Sequence, residues 1–151
     1  MTSITGPDIT YAPFRVAYHK RDTRKLVNLL YEERLSFYTE TVNQVEPGIE
    51  LNLVGGHSRG QMILRVHTKR GWILLASDAV HLYEEVETER PFAIFHDLQK
   101  MIEGYRISVK LAGGIDRLIS GHDPLVTDWY PAVSNELKGK VLDLNLKPKM
   151  S

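Results

Sequence analysis

The sequence predicts an α/β fold with much antiparallel strand, and three observations carry that prediction. Ile49, Leu51 and Leu53 alternate with Glu50 and Asn52, and Met62, Leu64 and Val66 alternate with Gln61, Arg65 and His67, both at strand period. The run Trp72–Ala76 is apolar at every position, as in a central strand buried from both sides. From Phe95 to Ala112 the period turns helical, with Leu98, Met101, Ile102, Tyr105 and Val109 on one face and Gly113-Gly114 as the stop.

The other elements follow from local signals. Residues 1–20 carry Gly6, Pro7 and Pro13 without a sustained period and read as a loop-rich entry. Asp22 to Glu33 suits a helix capped by Asp22 or Thr23, with Leu26, Val27, Leu30 and Tyr31 as its apolar stripe. Leu35–Tyr38 reads as a short strand, and Pro47-Gly48 as a turn. Lys69-Arg70-Gly71 is short enough to join its flanking strands into an antiparallel hairpin. Arg117–Ser120 is a short strand ending at Gly121-His122-Asp123-Pro124. A short helix near Val126–Tyr130 and a last strand bearing Leu142, Leu144 and Leu146 follow. The expected organisation is one domain over 1–151, with entry residues 1–20 and core 21–151.

Composition narrows the function classes. Nineteen basic residues balance nineteen acidic ones among 151, so no global field draws the chain to nucleic acid or to an anionic membrane surface. Without cysteine there is no disulfide, thiolate ligand or thiol nucleophile. No apolar stretch is long enough to span a bilayer, and MTSITGPDIT lacks the basic and apolar regions of a signal peptide. A cytoplasmic location is the expectation.

Three segments share one pattern: an apolar strand ends and a His or Asp follows in a loop. Ile49–Val54 leads to His57, Trp72–Ser77 to Asp78, and Leu118–Ser120 to His122. Strand-end loops let a rigid sheet hold reactive side chains, and His and Asp are ordinary ligands for zinc, manganese or iron. Glycine beside each His permits close backbone approach. Asp78 reads equally as a helix cap and the two His as polar loop residues, because no pair has the i, i+4 spacing of a helical metal motif.

Taken together, GGHSRGQMILRV, LLASDAVHLYE and LISGHDP resemble the third, fourth and fifth metal motifs of the metallo-β-lactamase superfamily. The intervals of 21 and 44 residues between His57, Asp78 and His122 are of the order that family shows. The stretches GWILLASDAVHLYEEVETERPF and GHDPLVTDWYPAV are most similar to the N-acyl homoserine lactonase-like branch. The resemblance runs from about Pro13 to Val133. It implies an αββα sandwich with a mixed, largely antiparallel sheet flanked by helices, of which this chain is the C-terminal half. It also implies zinc held by His57 and His122 with Asp78 bridging two ions, and lactone or ester hydrolysis using metal-activated water. The family's upstream His-x-His-x-Asp-His stretch has no counterpart here, since His19 is the only His before position 57. Zinc binding is therefore expected to be partial or absent in this chain.

Other residues have two readings each. By the resemblance, His81 or Tyr83 takes the place of a tyrosine that donates to the developing oxyanion; otherwise both cover the metal loop. Asp123 either orients a ligand imidazole or makes an Asp-Pro turn with Pro124. His67 reads as solvated and His96 as a helix-start residue. Ser58 lacks the Gly-x-Ser-x-Gly elbow, and neither Gly-Gly pair begins a phosphate loop. Two functions follow: an incomplete lactonase-like hydrolase, or a non-catalytic remnant acting as an interaction module. Loss of a covering half would bare sheet edges, so a homo-oligomer is expected.

Overall fold

The computed structural model describes residues 6–150, divided into a unit ending at Tyr38 and a larger one beginning at Thr39. Met1–Thr5, the start of the expected loop-rich entry, lie outside the described residues. In the first unit, Pro7 opens a 3-10 turn (Pro7–Thr10) and Pro13 lies in the first turn of helix α1 (Ala12–Ala17). Proline is tolerated there because the first helical N–H groups have no intrahelical partner. Helix α2 (Lys20–Tyr31) has His19 as its N-cap, without a side-chain cap. Neither Asp22 nor Thr23 caps it; both backbone amides already donate to the His19 carbonyl inside the first turn. The strand expected at Leu35–Tyr38 does not form; among the described residues of its unit there is no other strand to pair with it, and Phe37 and Tyr38 are exposed.

Turn chemistry builds the sheet of the larger unit. Pro47-Gly48 reverses the chain between β1 (Val42–Glu46) and β2 (Ile49–Leu53), with Gly48 at φ 78°. Lys69-Arg70 reverses it between β3 (Met62–Thr68) and β4 (Gly71–Ser77), closing on Gly71 at φ 91°. Both φ values lie where only glycine is comfortable. These four strands pair antiparallel in sequence order, and β5 (Leu118–Ser120) adds parallel to β4. Strand β1 escapes the hydrophobic pattern because it is a polar edge strand, Val-Asn-Gln-Val-Glu. The result is an α/β sandwich built on a mixed, largely antiparallel sheet flanked by helices.

A parallel partner requires a crossover. This one contains α3 (Tyr83–Thr88) and α4 (Leu98–Ala112). Asp97 caps α4 by accepting from the Lys100 amide at 3.0 Å, and Gly113 ends it at φ 74°. The buried face of α4 is Met101, Gly104, Tyr105, Ser108 and Ala112, whereas Leu98 and Val109 are exposed. The apolar stripe expected from sequence is thus rotated. Small residues line the inner side, and the Ser108 hydroxyl donates to the Gly104 carbonyl at 2.7 Å, so it is buried without an unmet bond.

Strand β4 is buried on both faces. Leu74 and Ala76 join Ile63, Met101, Tyr105 and Leu118 on one side. On the other, Ile73 and Leu75 meet Ile119 and Tyr130, with Leu142 and Leu144 packed on them. Fully burying each such Leu, Ile or Met contributes about 1.5–3 kcal/mol, so this strand is the rigid base for whatever its C-terminal end carries. Helix α5 (Leu125–Trp129) borders both clusters through Val126 and Trp129. The expected last strand reduces to a single bridge between Ala132 and Leu142, and Leu146 is exposed. Side-chain and main-chain ties replace the ladder: the Asn145 side chain accepts from the Lys69 amide, and the Lys149 amide donates to the Trp129 carbonyl.

Candidate metal centre

The three strand-end loops converge. Asp78 follows β4, and His122 lies two residues beyond β5, its parallel neighbour. His122 Nε2 lies 2.7 Å from Asp78 Oδ1, and His57 Nε2 lies 3.7 Å from Asp78 Oδ2. One carboxylate therefore divides its two oxygens between two imidazoles. His81 sits among them, its ring centroid 5.2 Å from that of His57 and 5.3 Å from that of His122. Asp78, His81 and His122 each offer a ligand atom within 4.8 Å of the others, a three-donor cluster able to hold a metal ion.

Close backbone approach positions the loops. A Cβ on Gly121 would lie 2.5 Å from the Ser77 carbonyl oxygen, and one on Gly56 would lie 2.7 Å from the Met101 Cα. Glycine is required at both places, and each adjoins a cluster histidine. The Gly121 amide donates to the Val80 carbonyl at 2.8 Å and the His122 amide to the His81 carbonyl at 3.0 Å, riveting the two turns together. The His96 and Asp97 amides both donate to the Gly56 carbonyl, fastening the His57 loop to the start of α4. Ser77 itself takes φ 49°, a left-handed conformation costly for a residue with a Cβ, where the chain turns to present Asp78.

The donor chemistry fits a divalent ion such as zinc. His57 Nδ1 lies 2.9 Å from the Ile94 carbonyl, which can only accept, so Nδ1 carries the proton and Nε2 presents a lone pair toward Asp78. His122 is well exposed, Asp78 and His57 are partly so, and His81 is buried as the floor. Burial holds the His81 imidazole below its ordinary pKa, with the nearby Glu85 carboxylate opposing, so the ring favours the neutral form a metal needs. Glu85 is also buried; its Oε2 accepts from the His81 amide at 3.1 Å and from the Tyr105 hydroxyl at 3.0 Å.

The structure brings together His57, Asp78, His81 and His122, and it excludes Tyr83. That residue is buried, its phenol donates to the Leu118 carbonyl at 2.9 Å, and its ring packs on Trp129. Its hydroxyl is committed to the core, which corrects its placement as an oxyanion donor. Asp123 makes the turn: Oδ1 accepts from the Leu125 amide and Oδ2 from the Tyr83 amide, both at 2.9 Å. His96 accepts from Arg59 Nε at 3.1 Å. His67 is exposed and stands edge-on to Trp72. Glu85, Phe92 and the Ile94 carbonyl escaped the sequence reading. Phe92 stacks on His81 at 4.5 Å, a contact no spacing announces, while Glu85 lies at i+4 from His81, the one signal that pointed to it.

Among solved structures, the fold matches an N-acyl homoserine lactone hydrolase with its product N-hexanoyl-L-homoserine bound at the catalytic metal centre. Identity is 30% over 59% of this chain and 36% of that one, with a TM-score of 0.52. A B. thuringiensis protein with N-decanoyl-L-homoserine at its active site matches equally, at 30% identity, 59% and 36% coverage, and TM-score 0.52. A probable metal-dependent hydrolase from Staphylococcus aureus shares the fold at 17% identity over 66% of this chain and 35% of that one, TM-score 0.52. No family model matches the sequence, and no curated protein does. The chain is a metallo-β-lactamase-fold protein related to the acyl homoserine lactonases, with a partial metal-binding motif. It spans little more than a third of the length of the lactone hydrolases it matches.

Proposed function

We propose that the corner formed by His57, Asp78 and His122 is the metal-holding part of a lactone- or ester-hydrolysing centre. The observation that carries this reading is the Asp78 carboxylate shared between His57 and His122 at the ends of three strands. The lactone hydrolases among its solved relatives favour a cyclic ester as substrate. A divalent ion supplies Lewis acidity toward a carbonyl oxygen and makes water a better nucleophile.

The chain's own residues have separable tasks. His57, Asp78 and His122 hold the ion, and the Ile94 carbonyl keeps the His57 lone pair aimed at it. His81 forms the buried floor beside the ion, and the exposed Phe92 ring lies against it. Tyr83 and Asp123 act through the loops by fixing the turn that carries His122. An intact centre of this kind takes further ligands, so full activity is proposed for this chain together with a His-x-His-x-Asp-His segment that its sequence lacks.

Zinc analysis combined with ring opening of N-hexanoyl homoserine lactone tests the proposal. Zinc uptake with turnover above background, both lost in Asp78→Ala, supports it. No uptake and no turnover would overturn it. Uptake without turnover that persists when a His-x-His-x-Asp-His segment is supplied by fusion points to the second reading, an interaction module paired with another copy. Exposed Phe92, Ile94, Phe95 and Leu98, grouped in one short stretch, favour that reading.

A further inference from the structure

We propose that His81 is itself a metal ligand, so that this chain holds one ion through three imidazoles and a carboxylate: His57, His81, His122 and Asp78. The inference rests on the metal-site reading above and adds a donor outside the motif residues that gave that reading.

Three observations carry it. First, the donors within 4.8 Å of one another are Asp78, His81 and His122; His57 lies outside that group and joins it through Asp78, its Nε2 3.7 Å from Oδ2. Tetrahedral zinc with ligands near 2.1 Å separates its donor atoms by about 3.4 Å, so closure asks for side-chain movement of about 1 Å. Second, the His81 ring is placed by its surroundings. Its amide is tied to Glu85, its carbonyl accepts from the His122 amide, and Phe92 and His122 flank the ring. Third, the ring is buried yet incompletely bonded. Among the described residues Nδ1 has no hydrogen-bond partner, and it stands 3.7 Å from Glu85 Oε2, on the side of a buried carboxylate. A buried unpaired imidazole nitrogen is costly, and that cost falls if Nδ1 carries the proton and turns it toward Glu85. With Nδ1 beside Glu85, Nε2 is the donor left for the ion, and ligation would draw the Nδ1–H toward the carboxylate as metal-bound histidines commonly require.

Four protein donors are a full complement for a single tetrahedral ion. The site would then be complete for one metal within this chain, even though its sequence lacks the ligands of a second.

Cobalt(II) titration of the purified chain, followed by its visible absorption, reads this directly. One cobalt per chain is expected, with the intense bands of four-coordinate geometry; His81→Phe should weaken binding at least about tenfold and dull those bands. Because His81 is buried, a variant can fail by misfolding. Ring 15N spectra of the unaltered chain with zinc therefore serve as the second measurement, and the His81 Nε2 resonance should move with those of His57 and His122. Binding lost in Asp78→Ala but unchanged in His81→Phe, with a stationary His81 resonance, would overturn the inference and leave the metal-site reading standing. A chain that binds no cobalt would sink both.

Discussion

Gly121 and Ser77 meet backbone to backbone, so closely that a methyl group on Gly121 would lie 2.5 Å from the Ser77 carbonyl oxygen. The contact joins the ends of two parallel strands at the residues that immediately precede His122 and Asp78. It explains how two side chains separated by 44 residues come to lie 2.7 Å apart.

Gly121→Ala should therefore damage both stability and the site. The new methyl meets backbone atoms that cannot rotate away, and overpacking of this kind costs about 1–3 kcal/mol. Gly60→Ala is the matched control, because a Cβ there meets nothing within 4 Å. Urea unfolding should show a lower midpoint for Gly121→Ala alone, with weaker metal uptake. Equal midpoints would mean that the two turns separate freely.

Much of this arrangement was legible in the sequence, and the reason is physical. Sheet strands buried on a face must alternate, a strand buried on both faces must be apolar throughout, and tight turns need Gly or Pro; β2, β3, β4 and both hairpin turns obey these rules. The strand-end positions of His57, Asp78 and His122 followed from the same reading. What stayed hidden depends on contacts between distant residues. Gly104 and Ser108 face the core because a helix must lie close there, yet an apolar count favours Leu98 and Val109. Tyr83 could be placed next to the metal loop from its position, but only its bond to the Leu118 carbonyl shows that the phenol is committed elsewhere.

Glu85 should be the most sensitive residue around the site that is not itself a cluster donor. Replacing it with alanine strands the His81 amide and the Tyr105 hydroxyl, both buried, at a cost of about 2–5 kcal/mol. Glu85→Gln keeps an oxygen acceptor and should lose much less. The neighbouring Glu84 is exposed, and Glu84→Ala should change stability by under about 1 kcal/mol. Denaturation curves of the three variants check the ranking; a Glu85→Ala protein as stable as Glu84→Ala would show that the buried bonds contribute nothing.

High pH should expose the commitment of Tyr83. Burial raises its phenol from 10.0 to about 12. The folded chain keeps the proton over a range where the unfolded chain releases it, so this group's contribution is intact below about pH 10 and declines as pH climbs toward 12. Tyr83→Phe removes that part of the decline, but it forfeits the hydrogen bond to the Leu118 carbonyl, worth about 1 kcal/mol at neutral pH. Urea midpoints at pH 9 and 11 should fall further in the unaltered chain than in the variant. Parallel falls would place the phenol in solvent.

Metal should stabilise the fold through the same corner. An ion that binds only the folded chain adds about 2.7 kcal/mol when its free concentration is a hundred times Kd. For a chain of 151 residues that raises Tm by roughly 5–10 °C. Zinc should therefore produce a concentration-dependent rise in thermal melts, reversed by a chelator and absent in Asp78→Ala, whose loss leaves His57 and His122 without the carboxylate between them. His67→Ala is the internal control, since His67 projects from β3 beside Trp72, and zinc should raise its Tm as it does for the unaltered chain. If zinc stabilises Asp78→Ala as fully, the ion is held by scattered surface histidines, and the convergence of the three loops serves packing alone.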